Sequence, residues 1–313
     1  MSKTEWVVGA DEEGVRLDKF LSSPERLGSR ARALAAREKG KVFVNGTEVG
    51  RGGATLRLAA RDVVRLWMDR PGSAKRRPGP FRRKELDILY EDSHLLVLNK
   101  PAGLLTVPLE RKRGEPSVYE QIESHLRSHG KRRPLVVHRI DRDTSGVVLF
   151  AKDGPTQQSL KRQFLQRTPE RVYRAIVYGH PTPARGTWHD YLVWDRKALI
   201  QKETHPRDPR GTEAICDYRV IEAFEKASLI EVTLQTGKRN QIRIQARLRG
   251  HTLVGEQRYT YGPEELRPME FARQALHAHS LAFEHPLDGR RMRFEAPMPE
   301  DMRKLVAALR KGR

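Results

Sequence analysis

The stretch "HRIDRDTSG", His138 to Gly146, lies between two apolar runs, Leu135-Val136-Val137 and Val147-Val148-Leu149-Phe150. Read alone, it is a polar turn between two strands. Its Asp and Ser side chains can bond nearby backbone amides, and Gly146 can take up a bend. The same residues also carry chemistry: Arg139, Asp141 and Arg142 stand together, and His138, Asp141 and Ser145 have the composition of a hydrolytic triad. What surrounds the stretch has to decide between the two readings.

Further out, "HLLVLNKP", "TSGVVLFAK", "RVYRAIVYG" and "SLIEVTLQTG" are short β-favouring runs, and Ile230, Val232 and Leu234 alternate with polar partners. His277 and His279 alternate on another strand. Helical patterns are fewer, near Ser117 to Gly130, Gln157 to Gln166 and Asp301 to Leu309. Strands outnumber helices without a regular βαβ alternation, so residues 86–313 are expected to form one α+β domain around a mixed, largely antiparallel sheet.

Residues 11–68 differ in pattern. Leu17, Phe20 and Leu21 fall at helical spacing. A second helix follows over Ser29 to Lys39, with Ser29 as its N-cap and Gly40 as its stop, and "KVFVNGTEV" turns at Asn45-Gly46 as a type I′ hairpin, with a third strand over Asp62 to Trp67. Seven positions apart on the second helix, Arg30 and Arg37 share a face that could meet phosphates or simply be solvated. Between the two domains, residues 69–85 carry three prolines, two glycines and seven basic residues, the composition of a basic linker.

Lys and Arg number 60 against 40 Asp and Glu, a formal charge of +20. An excess of that size favours a polyanionic partner, and nucleic acid leads. No apolar run approaches the roughly 20 residues that span a bilayer, so no membrane association is expected. The start lacks the apolar core of a signal peptide, and the single Cys216 permits neither an internal disulfide nor a cysteine zinc site. The chain therefore reads as cytoplasmic.

His125 and His129 stand at i, i+4 spacing but lack a third ligand, so no metal is expected. For His277 and His279, packing or hydrogen bonding outweighs a ligand role. No P-loop or dinucleotide glycine motif occurs, so no nucleotide cofactor is expected. A serine triad within "HRIDRDTSG" lacks the G-x-S-x-G elbow, and triads are usually assembled from distant parts of a chain. A metal-dependent nuclease would want a carboxylate cluster, and none is evident.

Four stretches together carry a resemblance. "HRIDRDTSGVVLFAK" resembles the central motif of the RluA family of RNA pseudouridine synthases. "LVLNKPAGLLTVP" resembles the family's upstream motif, "RVYRAIVYG" its tyrosine motif, and "LQTGKRNQIRIQARLRGHTLVGEQRY" the motif bearing its arginine. "LHAHSLAFEHP" is similar to a late family stretch, and all stand in family order across Leu86 to Leu309. The resemblance implies that Asp141 is the catalytic aspartate, that Tyr173 sits on the target uracil as a stacking platform or a proton carrier, and that Arg243 pairs with Asp141. Flipping of the target base is implied as well, with Arg139 as the residue to fill the vacated stack or hold the displaced partner, and Lys238 as a further RNA contact. "GVRLDKFLSS" and the elements after it resemble the alpha-L RNA-binding motif, which makes residues 11–68 an expected RNA-binding module.

The implied reaction isomerises uridine to pseudouridine in structured RNA and requires neither cofactor nor metal. A carboxylate can attack or stabilise the cationic sugar carbon, as one does in retaining glycosidases. Large-subunit ribosomal RNA is the expected substrate, transfer RNA the alternative, and a monomer the expected state. A non-catalytic RNA-binding assembly factor is the rival reading. The chain departs from the family pattern in Asn240 and Gln245, where histidines are usual, in Glu256 where Asp is usual, and in Arg171 where Lys is common.

Overall fold

A computed structural model describes residues 5–38, 41–49, 56–66, 86–108, 115–128, 133–263 and 267–312. The chain divides into two compact units, Met1–Lys84 and Glu85–Arg313. The expected linker, 69–85, lies outside the described residues.

The first unit contains β1 (Glu5–Val7), α1 (Leu17–Leu21), α2 (Arg30–Glu38), β2 (Val42–Val44), β3 (Thr47–Glu48) and β4 (Val63–Leu66). Its sheet runs β1-β4-β2-β3 with antiparallel pairings. Ser29 caps α2, its Oγ accepting from the Arg32 amide at 3.2 Å. Asn45 and Gly46 both take positive φ, as a type I′ hairpin requires. Leu17, Phe20 and Leu21 from α1 meet Ala33 and Ala36 from α2 and Val42, Val44, Val64 and Leu66 of the sheet in one core.

The second unit holds β5 (Ile88–Glu91), β6 (Leu95–Lys100), α3 (Val118–Ser128), β7 (Leu135–Val136), β8 (Ser145–Ala151), α4 (Gly154–Gln166), β9 (Glu170–Tyr178), β10 (Arg185–Asp195) and β11 (Ile200–Glu203). After them come β12 (Thr212–Ala223), β13 (Ala227–Leu234), α5 (Gln241–Leu248), β14 (Leu276–Glu284), β15 (Arg291–Glu295) and α6 (Glu300–Lys311). The sheet runs β11-β10-β12-β13-β9-β14-β8-β6-β5, with β15 beside β14 and β7 beside β8. Among the described residues every strand pairing in this sheet is antiparallel except β14 with β8, so the α+β class with a mixed, largely antiparallel sheet holds.

The apolar runs of β6 and β8 have no polar face because both faces are covered. Leu96, Leu98, Val148 and Phe150 meet Val118, Ile122 and Leu126 of α3. Leu95, Val97, Val147 and Leu149 meet Leu160 of α4 and Met292 of β15. On the other half of the sheet, β9 and β13 are covered by Ile242 and Ala246 of α5 on one face and by Met302 and Val306 of α6 on the other. Tyr173 packs against cores of both halves. No helix among the described residues is long and apolar enough to cross a membrane.

Candidate active site

The Asp141 loop runs into β8, at the seam where the two halves of the sheet meet. Gly146, Ala278 and Tyr173 lie in register across β8, β14 and β9, and Tyr173 pairs onward with Val232 of β13. Gly146 has φ +117, and a Cβ there would overlap the Ala278 carbonyl, so only glycine lets the two backbones approach this closely. The Thr144 amide bonds the Asp141 carbonyl at 3.1 Å, so a turn over Asp141 to Thr144 leads directly into β8.

The loop is gripped from both sides. Lys100, 1% exposed, donates to the carbonyls of Pro101, Leu104 and Arg142 at 2.7–2.8 Å. Burial lowers its pKa to about 7 against the pull of Asp143 and Asp141. Three carbonyls at that range need the three protons of an ammonium. Thr106 Oγ1 donates to the Ile140 carbonyl at 2.8 Å. From the opposite side, Arg273 donates to the Asp143 carbonyl at 3.0 Å while its other nitrogens hold Asp301 at 2.7 and 3.0 Å. These residues were not among the expected site residues. The "NKPAGLLTVP" stretch that supplies Lys100 and Thr106 was the available signal, and it works by holding the aspartate loop.

Asp141 Oδ2 accepts from Arg243 Nη1 at 3.0 Å and from Asn240 Nδ2 at 2.6 Å. The two donors stand at the start and in the first turn of α5, three residues apart, and so share a face. Behind Arg243, the Glu256 carboxylate takes a fork of two bonds, 2.6 Å from Nε and 2.8 Å from Nη2. Glu256 also accepts the amides of Gln257, Arg258 and Tyr259 at 3.0, 2.8 and 3.3 Å. Burial works against the charge on Arg243, but the bonds and charge of Glu256 outweigh it, with Asp141 adding to them, and the pKa rises. Burial likewise opposes the Glu256 carboxylate, and the bonds from Arg243 prevail and lower its pKa. The guanidinium is therefore a fixed cation with one face left for Asp141.

Asp141, Tyr173, Arg243, Arg139 and Lys238 all line one cleft of about 190 Å³. Burial pushes the Tyr173 phenol up to about 12, with Arg171 opposing and Asp141 adding to the rise, so it is a neutral hydroxyl at physiological pH. It can stack and donate, but it does not begin as a base. Arg139 is exposed, and its pKa is lowered by desolvation and by the charge of Arg239, which lines the same cleft and lies 4.3 Å over the Trp194 ring. Arg30 of α2 is exposed, but Arg37 is only 6% exposed. The outward, phosphate-facing place expected for Arg37 is corrected. One turn after Ala33, it follows the apolar stripe of α2 into the core.

The apparent triad separates into structural contacts. Ser145 Oγ lies 2.9 Å from His277 Nδ1, and His277 Nε2 lies 3.1 Å from the Ala296 carbonyl. His138 stacks on Phe164 at 4.9 Å, and its Nε2 accepts the Leu149 amide at 3.1 Å. Burial, with the charge of Arg171, lowers the His138 pKa to about 3, and burial lowers that of His277 to about 4. Neither imidazole is a base for Asp141. His279 Nδ1 shares the Ala296 carbonyl, in keeping with a hydrogen-bonding role. His125 lies 2.9 Å from Glu91, and His129 falls outside the described residues. Gln245 is buried among Asp190, Trp188 and Ala214 acceptors at 2.8–3.1 Å, and Arg171 bonds the Leu234 and Gln235 carbonyls beside the cleft.

Comparison with known proteins identifies the family. The profile of the RNA pseudouridylate synthase family matches residues 94–248. An RNA pseudouridine synthase of Bacillus subtilis, YlyB, is 34% identical, with both chains covered over their full length. The ribosomal large subunit pseudouridine synthase D of Zymomonas mobilis is 35% identical over 95% of this chain and 94% of its own. The synthase C of Pasteurella multocida is 30% identical over 97% and 93%. Among solved structures, human RNA pseudouridylate synthase domain containing 4 shares the fold, with TM-score 0.59 and 20% identity over 71% of this chain and 92% of that one. With relatives of one kind spanning the whole chain and the family profile covering the aspartate and arginine motifs, this chain belongs to the RluA family of RNA pseudouridine synthases.

Proposed function

We propose that the chain converts specific uridines of large-subunit ribosomal RNA to pseudouridine, with Asp141 as its catalytic carboxylate. The observation that carries this reading is the Asp141 carboxylate held by Arg243 and Asn240 in a cleft shared with Tyr173. The carboxylate acts on the sugar carbon C1′ as its bond to uracil N1 breaks. The uracil turns in the cleft and C1′ bonds to C5; the C5 proton then leaves and N1 gains one. Burial alone would protonate a carboxylate, and the Arg243 cation opposes that. The ring of Tyr173 supports the base as it turns, and its protonated hydroxyl is placed to donate.

A paired base cannot enter such a cleft, so the nucleotide must flip out, and exposed Arg139 is suited to fill the vacated stack. Lys238 and Arg239 supply positive charge for the flanking phosphates. The basic α2, with Arg30 outward, and the hairpin after it give the first unit the role of an RNA-binding module. Ribosomal RNA is favoured over transfer RNA because the relatives from Zymomonas mobilis and Pasteurella multocida are named for the large subunit. The test maps pseudouridines across total RNA from cells with and without the gene, and with an Asp141→Asn copy restored. Loss of a large-subunit site that wild type restores and the variant does not is the expected result. A lost transfer RNA site would overturn the substrate, and restoration by the variant would overturn the role of Asp141.

A further inference from the structure

The two oxygens of Asp141 are in unequal positions. Both donors, Asn240 Nδ2 at 2.6 Å and Arg243 Nη1 at 3.0 Å, bond Oδ2. Among the described residues, no group donates to Oδ1. Asn240 has an orientation of its own to explain. A carboxylate only accepts, so the Asn240 nitrogen must face it and the carbonyl oxygen must face away. That oxygen meets the Tyr259 hydroxyl at 3.3 Å, and the same hydroxyl accepts the Gln201 amide at 2.8 Å, leaving its proton for Asn240. The backbone of Asn240 stands at φ 53, ψ 24, in the left-handed region that Asn tolerates better than most residues. This conformation places the side chain at the start of α5, three residues ahead of Arg243.

We propose that Asn240 is a positioning residue, a donor without a titrating proton that pins Oδ2 of Asp141 and leaves Oδ1 as the oxygen that acts on the sugar carbon. The inference rests on Asp141 being the catalytic carboxylate. Around Asn240 the charged and titratable groups are Asp141, Arg243 with Glu256 behind it, Tyr259, and Tyr173, Lys238, Arg239 and Arg139 of the same cleft. None of them is a histidine. Losing one donor to a charged group corresponds to about a 10- to 100-fold change in rate.

Two variants test it, with release of tritium from C5-labelled total RNA of cells lacking the gene as the readout. Asn240→Gly removes the amide while adopting the left-handed backbone freely. Its kcat is expected to fall about 10- to 100-fold with KM within about threefold. Asn240→Asp sets a second acceptor beside Asp141, which can donate only when the pair holds a proton. Its activity relative to wild type is expected to rise at least about tenfold as pH falls from 8 to 5.5. An unchanged kcat in Asn240→Gly, or a ratio for Asn240→Asp that is flat with pH, would overturn the proposal. Full activity in Asp141→Asn would instead overturn the reading on which it rests.

Discussion

At the scale of single residues, the site is a chain of supports behind one carboxylate. Glu256 fixes Arg243, and Arg243 with Asn240 fixes Asp141. The buried fork between Glu256 and Arg243 makes the next residue out as exacting as the aspartate itself. Removing one partner of such a buried pair costs about 3–5 kcal/mol, because the remaining charge is stranded. Glu256→Gln is therefore expected to lower Tm by several degrees and to depress pseudouridine formation together with it. Thermal melting and a tritium-release assay check this, and an unchanged Tm with full activity would contradict it. The sequence resemblance pointed to Asp141, Tyr173 and Arg243, because each sits in a compact motif. It did not point to Lys100 or Arg273, whose work is to hold carbonyls of the aspartate loop. Backbone acceptors leave no pattern in a sequence.

Among the elements, legibility followed solvent exposure. The helix expected over Ser117 to Gly130 is α3, opened by a reciprocal cap in which Glu120 accepts the Ser117 amide and Ser117 Oγ accepts the Glu120 amide. The one expected over Asp301 to Leu309 is α6, whose outward face is charged. The one expected from Gln157 begins at Gly154, where Asp153 accepts the Thr156 amide. Helix α5 escaped notice altogether. Its "QIRIQARL" alternates apolar and polar residues as a strand would, and Gln241, Arg243 and Gln245 are buried rather than solvent-facing. Ile242 and Ala246 do form an apolar stripe, but the polar Gln241, Arg243 and Gln245 between and beside them are buried too, held by tertiary hydrogen bonds, so the helical period was hidden. The seam between β8 and β14 depends on Gly146 in the same non-local way. Gly146→Ala would force the two strands apart and shift the Asp141 turn. The expected outcome is a poorly soluble or inactive protein, read by expression yield and circular dichroism, and a fully active, normally folded variant would contradict the close approach.

For the molecule as a whole, charge and burial act in opposite directions with pH. The +20 formal charge suits an RNA partner. The interior, however, keeps His138 and His277 neutral, with pKa values near 3 and 4. In the unfolded chain both would take up protons below about pH 6.5. The unfolded state then binds more protons than the folded one, so stability falls as pH drops from 6.5 towards 4. For His277 alone the loss at pH 5 is about 2 kcal/mol. Urea unfolding at pH 7.5 and pH 5 is expected to show this drop, with a shallower one in His277→Gln. Equal stability at both pH values would contradict it.

The proposed reaction stands on one carboxylate, Asp141. Its most direct test compares purified wild type with Asp141→Asn for release of tritium from total RNA labelled at uracil C5, made in cells lacking the gene. With Tm and RNA binding unchanged, the variant is expected to lose about a thousandfold or more in rate. Release by the folded variant at the wild-type rate would contradict the account.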